Sequence, residues 1–521
     1  MSKSKRTYPW AIALVSFLSV GCYLAWSYGQ GKAGFPLDDA WIHQTYARNL
    51  AQTGQLAYLP GQPSAGSTSP AWSFLLSVGY LLGVDFRLWA YLLGALSHAV
   101  TAVLVYRLVR RLAPSKPQVP LFAGLLCAVE WHLVWSASSG METALFTALS
   151  LALLEYFFTQ VDARSSSSGP ASLRKEQIIV NSVGIGLLSG ALVLTRPEGL
   201  VLVGFVLLGL VVFPLPLTRK EIPQRLLATA VSLLGLSLLL VPYLAFNMRT
   251  SGSIFPNTFY AKQMEYQAAW SIPVRFWLVI MPSLVGVEVL LLPGFLYGAY
   301  HLIRNRQWPA TVPHLWWLAL LSLYAWRLPV SYQHGRYVMP TIPLLIGYGT
   351  WGTFLLLRPN APEAWKRVVS RAMPLAVALV AGLFWLRGAQ AYVDDVGVVE
   401  GEMVEIAHWI NSHTSSTDVI AVHDIGAVGY LTDRPLLDLA GLITPEVIPF
   451  MTETERLATW MTEHGASYAV FFPDFSLTYA RLAADPGFEQ VYCTGYAWTR
   501  SAGRENMCVY RLVDGTEPEE L

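Results

Sequence analysis

The stretch from Leu226 to Phe246 reads LLATAVSLLGLSLLLVPYLAF and contains no charged side chain. A helix that crosses the hydrocarbon core of a bilayer needs roughly 17–25 predominantly apolar residues, so this stretch is long enough to span a membrane. Similar apolar stretches recur on both sides of it, from Trp10 to Leu386. The sequence therefore predicts a polytopic α-helical membrane protein.

Composition supports this fold class. The 521 residues are 54% hydrophobic and only 13% charged, whereas a soluble globular protein carries about 25% charged residues. A chain of this size has too few polar residues to cover its surface in water. Lipid must therefore be the solvent for most of it. The formal net charge of +1 excludes a strong overall field that would attract nucleic acid.

We predict about eleven membrane-spanning helices. Ser73–Leu82 is too short to span and is placed in the interface, as a helix of the first outer loop. Trp270–Pro282 is either re-entrant or interfacial. The predicted spans are Trp10–Tyr28, Leu88–Val109, Val119–Trp135, Met141–Phe158, Ile178–Leu194, Leu200–Pro216, Leu226–Phe246, Leu284–Ile303, Leu315–Trp326, Tyr337–Leu357 and Met373–Leu386.

Lysine and arginine residues accumulate in alternate loops, which the positive-inside rule assigns to the cytoplasm. With eleven spans, the N-terminus is then cytoplasmic and the C-terminal segment is extracytoplasmic. The predicted location is the cell (inner) membrane. The basic residues of these loops are Lys3, Lys5, Arg6, Arg107, Arg110, Arg111, Lys116, Arg174, Lys175, Arg219, Lys220, Arg225, Arg304, Arg306, Lys366, Arg367 and Arg371.

The composition changes from about Tyr392 onward. We predict a membrane domain of residues 1–390, with a catalytic first outer loop at 29–86, and a small α/β extracytoplasmic domain of residues 391–521. This second domain has no GxGxxG or phosphate loop. Its predicted helices are Glu402–Asn411 and Thr452–His464, and its predicted strands are Asp418–Val422, Tyr468–Phe472, Gln490–Thr494 and Met507–Leu512.

Cys493 and Cys508 lie on the last two predicted strands. Disulfides persist outside the cytoplasm, so these two residues could form a bridge. The alternative is two free thiols, and we favour the bridge.

Two adjacent carboxylates, Asp38 and Asp39, follow the first span in the sequence FPLDDAWIHQTYARNLAQTG. In a structural interpretation, Asp38 is the N-cap of a helix and Asp39 lies in its first turn, where the helix dipole favours negative charge. In a functional interpretation, one member is a general base that takes a proton from an acceptor hydroxyl. The spacing alone does not choose between the two.

Further ionisable residues lie in the other predicted outer loops. Ionisable groups that face the interior of a helix bundle usually mark function. The structural alternatives are an Arg196–Glu198 salt bridge, a helix cap at Glu142, and snorkelling by Lys262 and Arg336. Together these loops supply carboxylates for proton transfer and cations for a phosphate. We predict that Asp38, Asp39, Glu142, Lys262 and Arg336 line one outward-facing pocket, which a lipid carrier enters sideways between helices. Besides the candidate catalytic pair Asp38 and Asp39, the predicted substrate-binding residues are Glu142, Arg196, Glu198, Lys262, His334 and Arg336.

The ordered series DDAWIHQTYARNLAQTG, GSTSPAW, GMETALF, TRPEGL, PNTFYAK and GRYVMP resembles the GT-C superfamily of polytopic glycosyltransferases. It looks most like the bacterial arabinofuranosyl- and mannosyltransferase-like members of cell-envelope assembly. The resemblance implies an inverting transferase, a polyprenyl-phosphate sugar donor, and a glycan, lipid or protein acceptor outside the membrane. The stretch LLDLAGLITPEV also resembles these proteins, but the sequence assigns it no role.

By this resemblance, Asp38 or Asp39 would be the catalytic base, and we slightly favour Asp38 because it is the first of the pair. Lys262, His334 and Arg336 would lie near the donor phosphate. We predict no metal and no cofactor, because no second ligand set is evident. The main alternative function is a transporter or flippase of lipid-linked glycans, which would not need the acidic pair. A receptor or assembly scaffold would leave the outer-loop charges unexplained.

Overall fold

The structure, a computed structural model, describes residues 4–165, 171–217, 219, 221–265 and 270–513. Lys3 and Lys220 of the predicted cytoplasmic loops lie outside the described residues. The chain is mostly helical. Its helices before residue 300 are Ser4–Gly29, Asp38–Thr53, Pro70–Leu81, Phe86–Leu112, Gln118–Val129, Trp131–Ser138, Thr143–Ser165, Ala171–Thr195, Gly199–Val212, Ile222–Ser251, Asn257–Glu265, Ile272–Ile280 and Glu288–Arg304. The later helices are Val312–Arg327, Ile342–Leu356, Ala364–Val398, Glu405–His413, Ile425–Leu431, Thr454–Glu463, Leu477–Ala483 and Ala497–Ser501, with a π-helical turn at Val399–Val404.

Each of the eleven predicted spans overlaps a helix. In the part of the chain that the structure describes, six helices are long and apolar enough to cross a membrane, and the bent pair Gln118–Val129 and Trp131–Ser138 would make a seventh. The pair bends by 49° at Glu130, whose side chain accepts hydrogen bonds from the N–H groups of His132 and Leu133 and so caps the second helix. The helices of the other four predicted spans are 14 to 17 residues long. The count of eleven spans stays a prediction.

The two segments that were not counted as spans are also helical. Ser73–Leu82 corresponds to the helix Pro70–Leu81, which buries Trp72 and Leu76 and exposes Phe74 and Leu81. Such a two-faced apolar helix suits the membrane interface. Trp270–Pro282 corresponds to the helix Ile272–Ile280 and a 3₁₀ turn at Pro282–Leu284.

The chain divides into two compact units. The first consists of Met1–Leu24, Tyr91–Leu244 and Ala268–Ala389, and the second of Ala25–Ala90, Ala245–Gln267 and Gln390–Leu521. The second unit therefore combines three parts that are distant in sequence: the first predicted outer loop, the PNTFYAK segment and the C-terminal segment.

In the first unit, glycines allow close packing of the helices Glu288–Arg304 and Ile342–Leu356. A Cβ atom on Gly352 would collide with the backbone oxygen of Gly294, and one on Gly294 would collide with the backbone oxygen of Gly349. Close approach through small residues is typical of helix pairs in membranes, where lipid removes most of the hydrophobic driving force between helices.

The second unit contains a five-stranded sheet and a short hairpin in the first predicted outer loop. The hairpin strands are β1 (Ala57–Leu59) and β2 (Gln62–Pro63). The sheet strands are β3 (Val419–Val422), β4 (Leu436–Asp438), β5 (Ala466–Phe471), β6 (Phe488–Cys493) and β7 (Cys508–Leu512), in the order β4–β3–β5–β7–β6. Strand β3 is parallel to β4 and β5, whereas β7 is antiparallel to β5 and β6.

Helix Thr454–Glu463 covers this sheet with Leu457, Trp460 and Met461. The spacing of three and four residues places these side chains on one helix face. Cys493 and Cys508 are opposite each other on β6 and β7 and form a disulfide with a Cα–Cα distance of 4.1 Å. The predicted bridge is therefore confirmed, and the alternative of two free thiols is wrong.

Candidate active site

The acidic pair begins the helix Asp38–Thr53, whose N-cap is Leu37. The structural interpretation in which Asp38 is the N-cap of its own helix is therefore wrong. Its carboxylate instead accepts the backbone N–H of Gly426 at 2.6 Å through Oδ2 and that of Ala427 at 2.7 Å through Oδ1. These two N–H groups belong to the first turn of the helix Ile425–Leu431, so Asp38 caps a helix of the C-terminal segment.

The surroundings of Asp38 change its proton affinity. Burial is the largest effect and, with the nearby Asp424 carboxylate, raises the pKa of Asp38 to about 7, although the hydrogen bonds from Ala427 and Gly426 act to lower it. Residue 426 must be small, because a Cβ atom there would lie 2.6 Å from Oδ2 of Asp38 and closer still to its backbone oxygen.

Asp39 has different surroundings. Its side chain is 31% exposed, and its Oδ2 lies 3.8 Å from Nζ of Lys262, which is itself 23% exposed. Snorkelling was the alternative for Lys262, but here its ammonium pairs with a carboxylate. The structure thus brings together a candidate base and a candidate phosphate-binding cation from two predicted outer loops.

Three hydrogen bonds hold the helix Asn257–Glu265 that carries Lys262. The backbone N–H of Asn257 donates to Ala65 O at 3.1 Å, and the hydroxyl of Thr258 donates to Gly66 O at 2.8 Å. The amide side chain of Asn257 also donates to Leu442 O at 3.1 Å. The segments GSTSPAW, PNTFYAK and LLDLAGLITPEV therefore meet at one place.

Asp438 shapes the last of these segments. Its buried carboxylate accepts the backbone N–H of Ala440 at 2.8 Å and that of Ile443 at 2.7 Å. Both bonds hold the loop after β4 in a turn that presents Leu442 O to Asn257. This contact provides a structural role for LLDLAGLITPEV, which the sequence alone did not assign.

A second group of predicted residues surrounds Arg196 in the first unit. The buried guanidinium donates to Glu142 at 3.2 Å, to Tyr324 at 3.0 Å, and to Glu198. The Arg196–Glu198 salt bridge proposed as a structural alternative is present, within a larger network. Glu142 is the third charged member of that network, and it is also buried.

His334 lies in a left-handed turn of the same unit, and Arg336 follows directly after this turn. Gln333 and His334 have φ values of 54° and 56°, a region that is costly for residues other than glycine. The His334 ring packs edge-on against Trp131 and Trp135. Strain of this kind is common at functional sites.

Arg336 is only 3% exposed, so the alternative that it snorkels to water is wrong. Its guanidinium and that of Arg196 each lie 5.1 Å from the centre of the Tyr337 ring. The predicted residues therefore form two groups, one in each unit: Asp38, Asp39 and Lys262, and Glu142, Arg196, Glu198, His334 and Arg336. A single pocket that includes both groups stays a prediction.

Within the described residues, Glu130, His132 and Glu288 place potential metal-ligand atoms within 4.8 Å of one another, and all three are buried. The candidate metal-ligand atoms of Glu130 and His132 are already engaged, because Nδ1 of His132 lies 2.7 Å from Oε1 of Glu130 and Nε2 of His132 lies 2.9 Å from Pro282 O. Among the residues that the structure describes, no other residue donates a hydrogen bond to either carboxylate oxygen of Glu288. No sequence pattern indicates this cluster, since Glu288 is far from the other two residues in the chain.

The fold of the chain is similar to those of solved membrane glycosyltransferases of the GT-C superfamily. The chain is similar to ArnT from Cupriavidus metallidurans bound to undecaprenyl phosphate, with 18% identity, a TM-score of 0.60 and 100% coverage of both chains. It is also similar to the apo oligosaccharyltransferase of Archaeoglobus fulgidus, with 13% identity, a TM-score of 0.62, and coverage of 100% of this chain and 76% of that one.

A further similar structure is AglB, the oligosaccharyltransferase from Archaeoglobus fulgidus, in complex with an inhibitory peptide and a dolichol-phosphate. It has 12% identity, a TM-score of 0.59, and coverage of 100% of this chain and 76% of that one. A family described as a domain of unknown function (DUF8728) matches residues 390–510. No curated protein matches the chain. At these identities the likeness establishes the fold, and the activity has to be argued from the site.

Proposed function

We propose that this protein is an inverting glycosyltransferase that moves a sugar from a polyprenyl-phosphate donor to a glycan, lipid or protein acceptor on the outer face of the cell membrane. The observation that carries the proposal is the 3.8 Å separation between the Asp39 carboxylate and the Lys262 ammonium, beside Asp38. Similar folds bound to undecaprenyl phosphate and dolichol-phosphate support a lipid-phosphate donor.

The reaction needs two kinds of side chain. An acceptor hydroxyl attacks the anomeric carbon from the face opposite the phosphate, and its proton passes to a carboxylate of the acidic pair. The bond between the anomeric carbon and the phosphate oxygen breaks, and the electron pair leaves with the polyprenyl phosphate. Lys262 stabilises that departing charge. The carboxylate then returns its proton to water, which completes the cycle.

The first unit supplies further candidates for substrate binding. Arg336 and His334 are proposed to contact the donor phosphate, since the turn that holds them contains two residues in a costly backbone region. Arg196 holds both Glu142 and Glu198, so these three are proposed to act as one preorganised group that contacts substrate. The lipid tail would enter sideways between helices because it stays within the bilayer.

The proposed location is a multi-pass protein of the inner membrane with about eleven spans, a cytoplasmic N-terminus and an extracytoplasmic α/β domain at residues 391–521. The alternation of basic loops supports this orientation. The Cys493–Cys508 disulfide also supports it, because such bridges persist outside the reducing cytoplasm.

The test is sugar transfer by the purified full chain in lipid, with undecaprenyl-phosphate donors that carry arabinofuranose or mannose. At least one of Asp38→Asn and Asp39→Asn should reduce transfer by about 10²–10⁴-fold while the protein still binds donor. Arg336→Ala should lower both donor affinity and rate, since the donor phosphate is charged before and during reaction.

Arg504→Ala is a matched control, because Arg504 lies on the exposed surface and pairs with Asp474. The product should carry the opposite anomeric configuration to the donor. Near-normal transfer by both Asn variants would contradict the proposal and leave the acidic pair with a structural role alone.

A further inference from the structure

We propose that Asp38 is a positioning residue, clamped by the backbone of Gly426 and Ala427, and that Asp39 is the catalytic base. The inference rests on the proposed function and deepens it. It also gives a role to the C-terminal segment, which matches a family of unknown function over residues 390–510: this segment sets the direction of the catalytic carboxylate.

Both oxygens of Asp38 are engaged. Oδ2 accepts from Gly426 and Oδ1 accepts from Ala427, at 2.6 and 2.7 Å. Hydrogen bonds from N–H groups to a carboxylate are short and roughly twice as strong as neutral ones. They hold the carboxyl group in one orientation and use one lone pair on each of its oxygens, so Asp38 has less freedom than Asp39 to turn toward an acceptor hydroxyl.

The partner segment is built to receive Asp38. Glycine at position 426 leaves room for the carboxylate, which a Cβ atom would displace. Two more bonds fasten the same segment to the first predicted outer loop: the hydroxyl of Tyr58 donates to Ile425 O, and Nη1 of Arg48 donates to Tyr430 O at 2.9 Å. The helix Ile425–Leu431 is thus bound to that loop near both of its ends.

The clamp determines where Asp39 points. Neighbouring residues on an α-helix are related by a fixed rotation of about 100°, because there are 3.6 residues per turn. Holding Asp38 in the first turn therefore orients Asp39. The Asp39 carboxylate is partly exposed and lies beside Lys262, so a substrate hydroxyl can reach it from solvent at a point next to a cation.

The first part of the test separates the two carboxylates in the full chain in lipid, with the undecaprenyl-phosphate donors. We expect Asp39→Asn to lower kcat by about 10²–10⁴-fold with an unchanged melting temperature and unchanged or tighter donor binding, because Lys262 loses its carboxylate partner. Asp38→Asn should lower the melting temperature and reduce kcat by at most about 10²-fold, as expected for a misplaced base.

The second part disturbs the clamp without touching either carboxylate. Gly426→Ala should reproduce the Asp38→Asn phenotype, with a lower kcat and unchanged donor affinity. Gly495→Ala is the matched control in the same segment, because a Cβ atom there meets nothing within 4 Å. If Gly426→Ala does not fold, Tyr58→Phe, which removes the hydroxyl that donates to Ile425 O and also bonds to Thr45, should still lower kcat several-fold.

Outcomes distinguish this inference from the proposed function. The assignment of roles is overturned, and the proposed glycosyltransferase activity stands, if Asp38→Asn abolishes transfer at a normal melting temperature while Asp39→Asn remains active. The same conclusion follows if Gly426→Ala and Tyr58→Phe behave like the control Gly495→Ala. If both Asn variants transfer sugar at the wild-type rate, the proposed function is overturned together with the assignment.

Discussion

Asp438 is a fully buried carboxyl group that accepts two backbone N–H bonds, from Ala440 and Ile443. Burial is the largest effect on it and raises its pKa from 3.8 to about 6, against the opposing effect of those hydrogen bonds. The folded state therefore binds this proton more tightly than the unfolded chain does. The resulting stabilisation is complete below about pH 4 and is lost as the pH rises through about 6.

At this residue scale we predict a pH-dependent difference between the wild type and Asp438→Asn. The variant lacks the titrating group, so the wild type should lose up to about 3 kcal/mol of stability relative to it between pH 4 and 7. Thermal unfolding of both proteins in detergent across this range measures the difference. As a control at an exposed position, Asp433→Asn should give a curve of stability against pH that is parallel to that of the wild type. A curve for Asp438→Asn that is also parallel to the wild type would contradict the prediction.

Among the elements, the helices Glu288–Arg304 and Ile342–Leu356 come together through Gly294, Gly349 and Gly352. A side chain at any of these positions would meet the backbone of the opposite helix. Since backbone cannot move aside as a flexible side chain can, the helices would have to separate, and the rest of their interface would loosen with them.

We therefore predict that Gly352→Ala destabilises the first unit by about 1–3 kcal/mol, the usual cost of overpacking. The midpoint of thermal unfolding in detergent should fall. Gly382→Ala is a suitable control, because a Cβ atom there meets nothing within 4 Å and alanine favours a helix over glycine. Equal midpoints for the two variants would show that this helix contact tolerates the extra methyl group.

At the scale of the whole molecule, orientation depends on the distribution of basic residues among loops. We predict that alkaline phosphatase fused after Val513 is active and that green fluorescent protein at the same point is dark. The reverse should hold for fusions at Pro359, in the predicted cytoplasmic loop after the tenth span. A fluorescent C-terminal fusion would overturn the predicted orientation.

Several features could be predicted because their cause is local. An apolar run such as Leu226–Phe246 forms a helix wherever lipid surrounds it, since its backbone can bond only to itself. The strand Val419–Val422 and the helix Thr454–Glu463 have clear periodic patterns. Cys493 and Cys508 were paired correctly because two closing strands placed them opposite each other.

Other features were settled by tertiary contacts alone. Strand β4 has three residues and the helix Ile425–Leu431 has seven, too few for a periodic signal. One of the two interpretations of the sequence makes Asp38 the cap of its own helix, yet its partners Gly426 and Ala427 lie 388 and 389 residues away. No local pattern encodes such a contact, because it depends on how separate segments pack. Sequence alone thus determined which residues carry charge in the outer loops, while packing decided that Asp39 meets Lys262 and that Asp38 is held by backbone N–H groups.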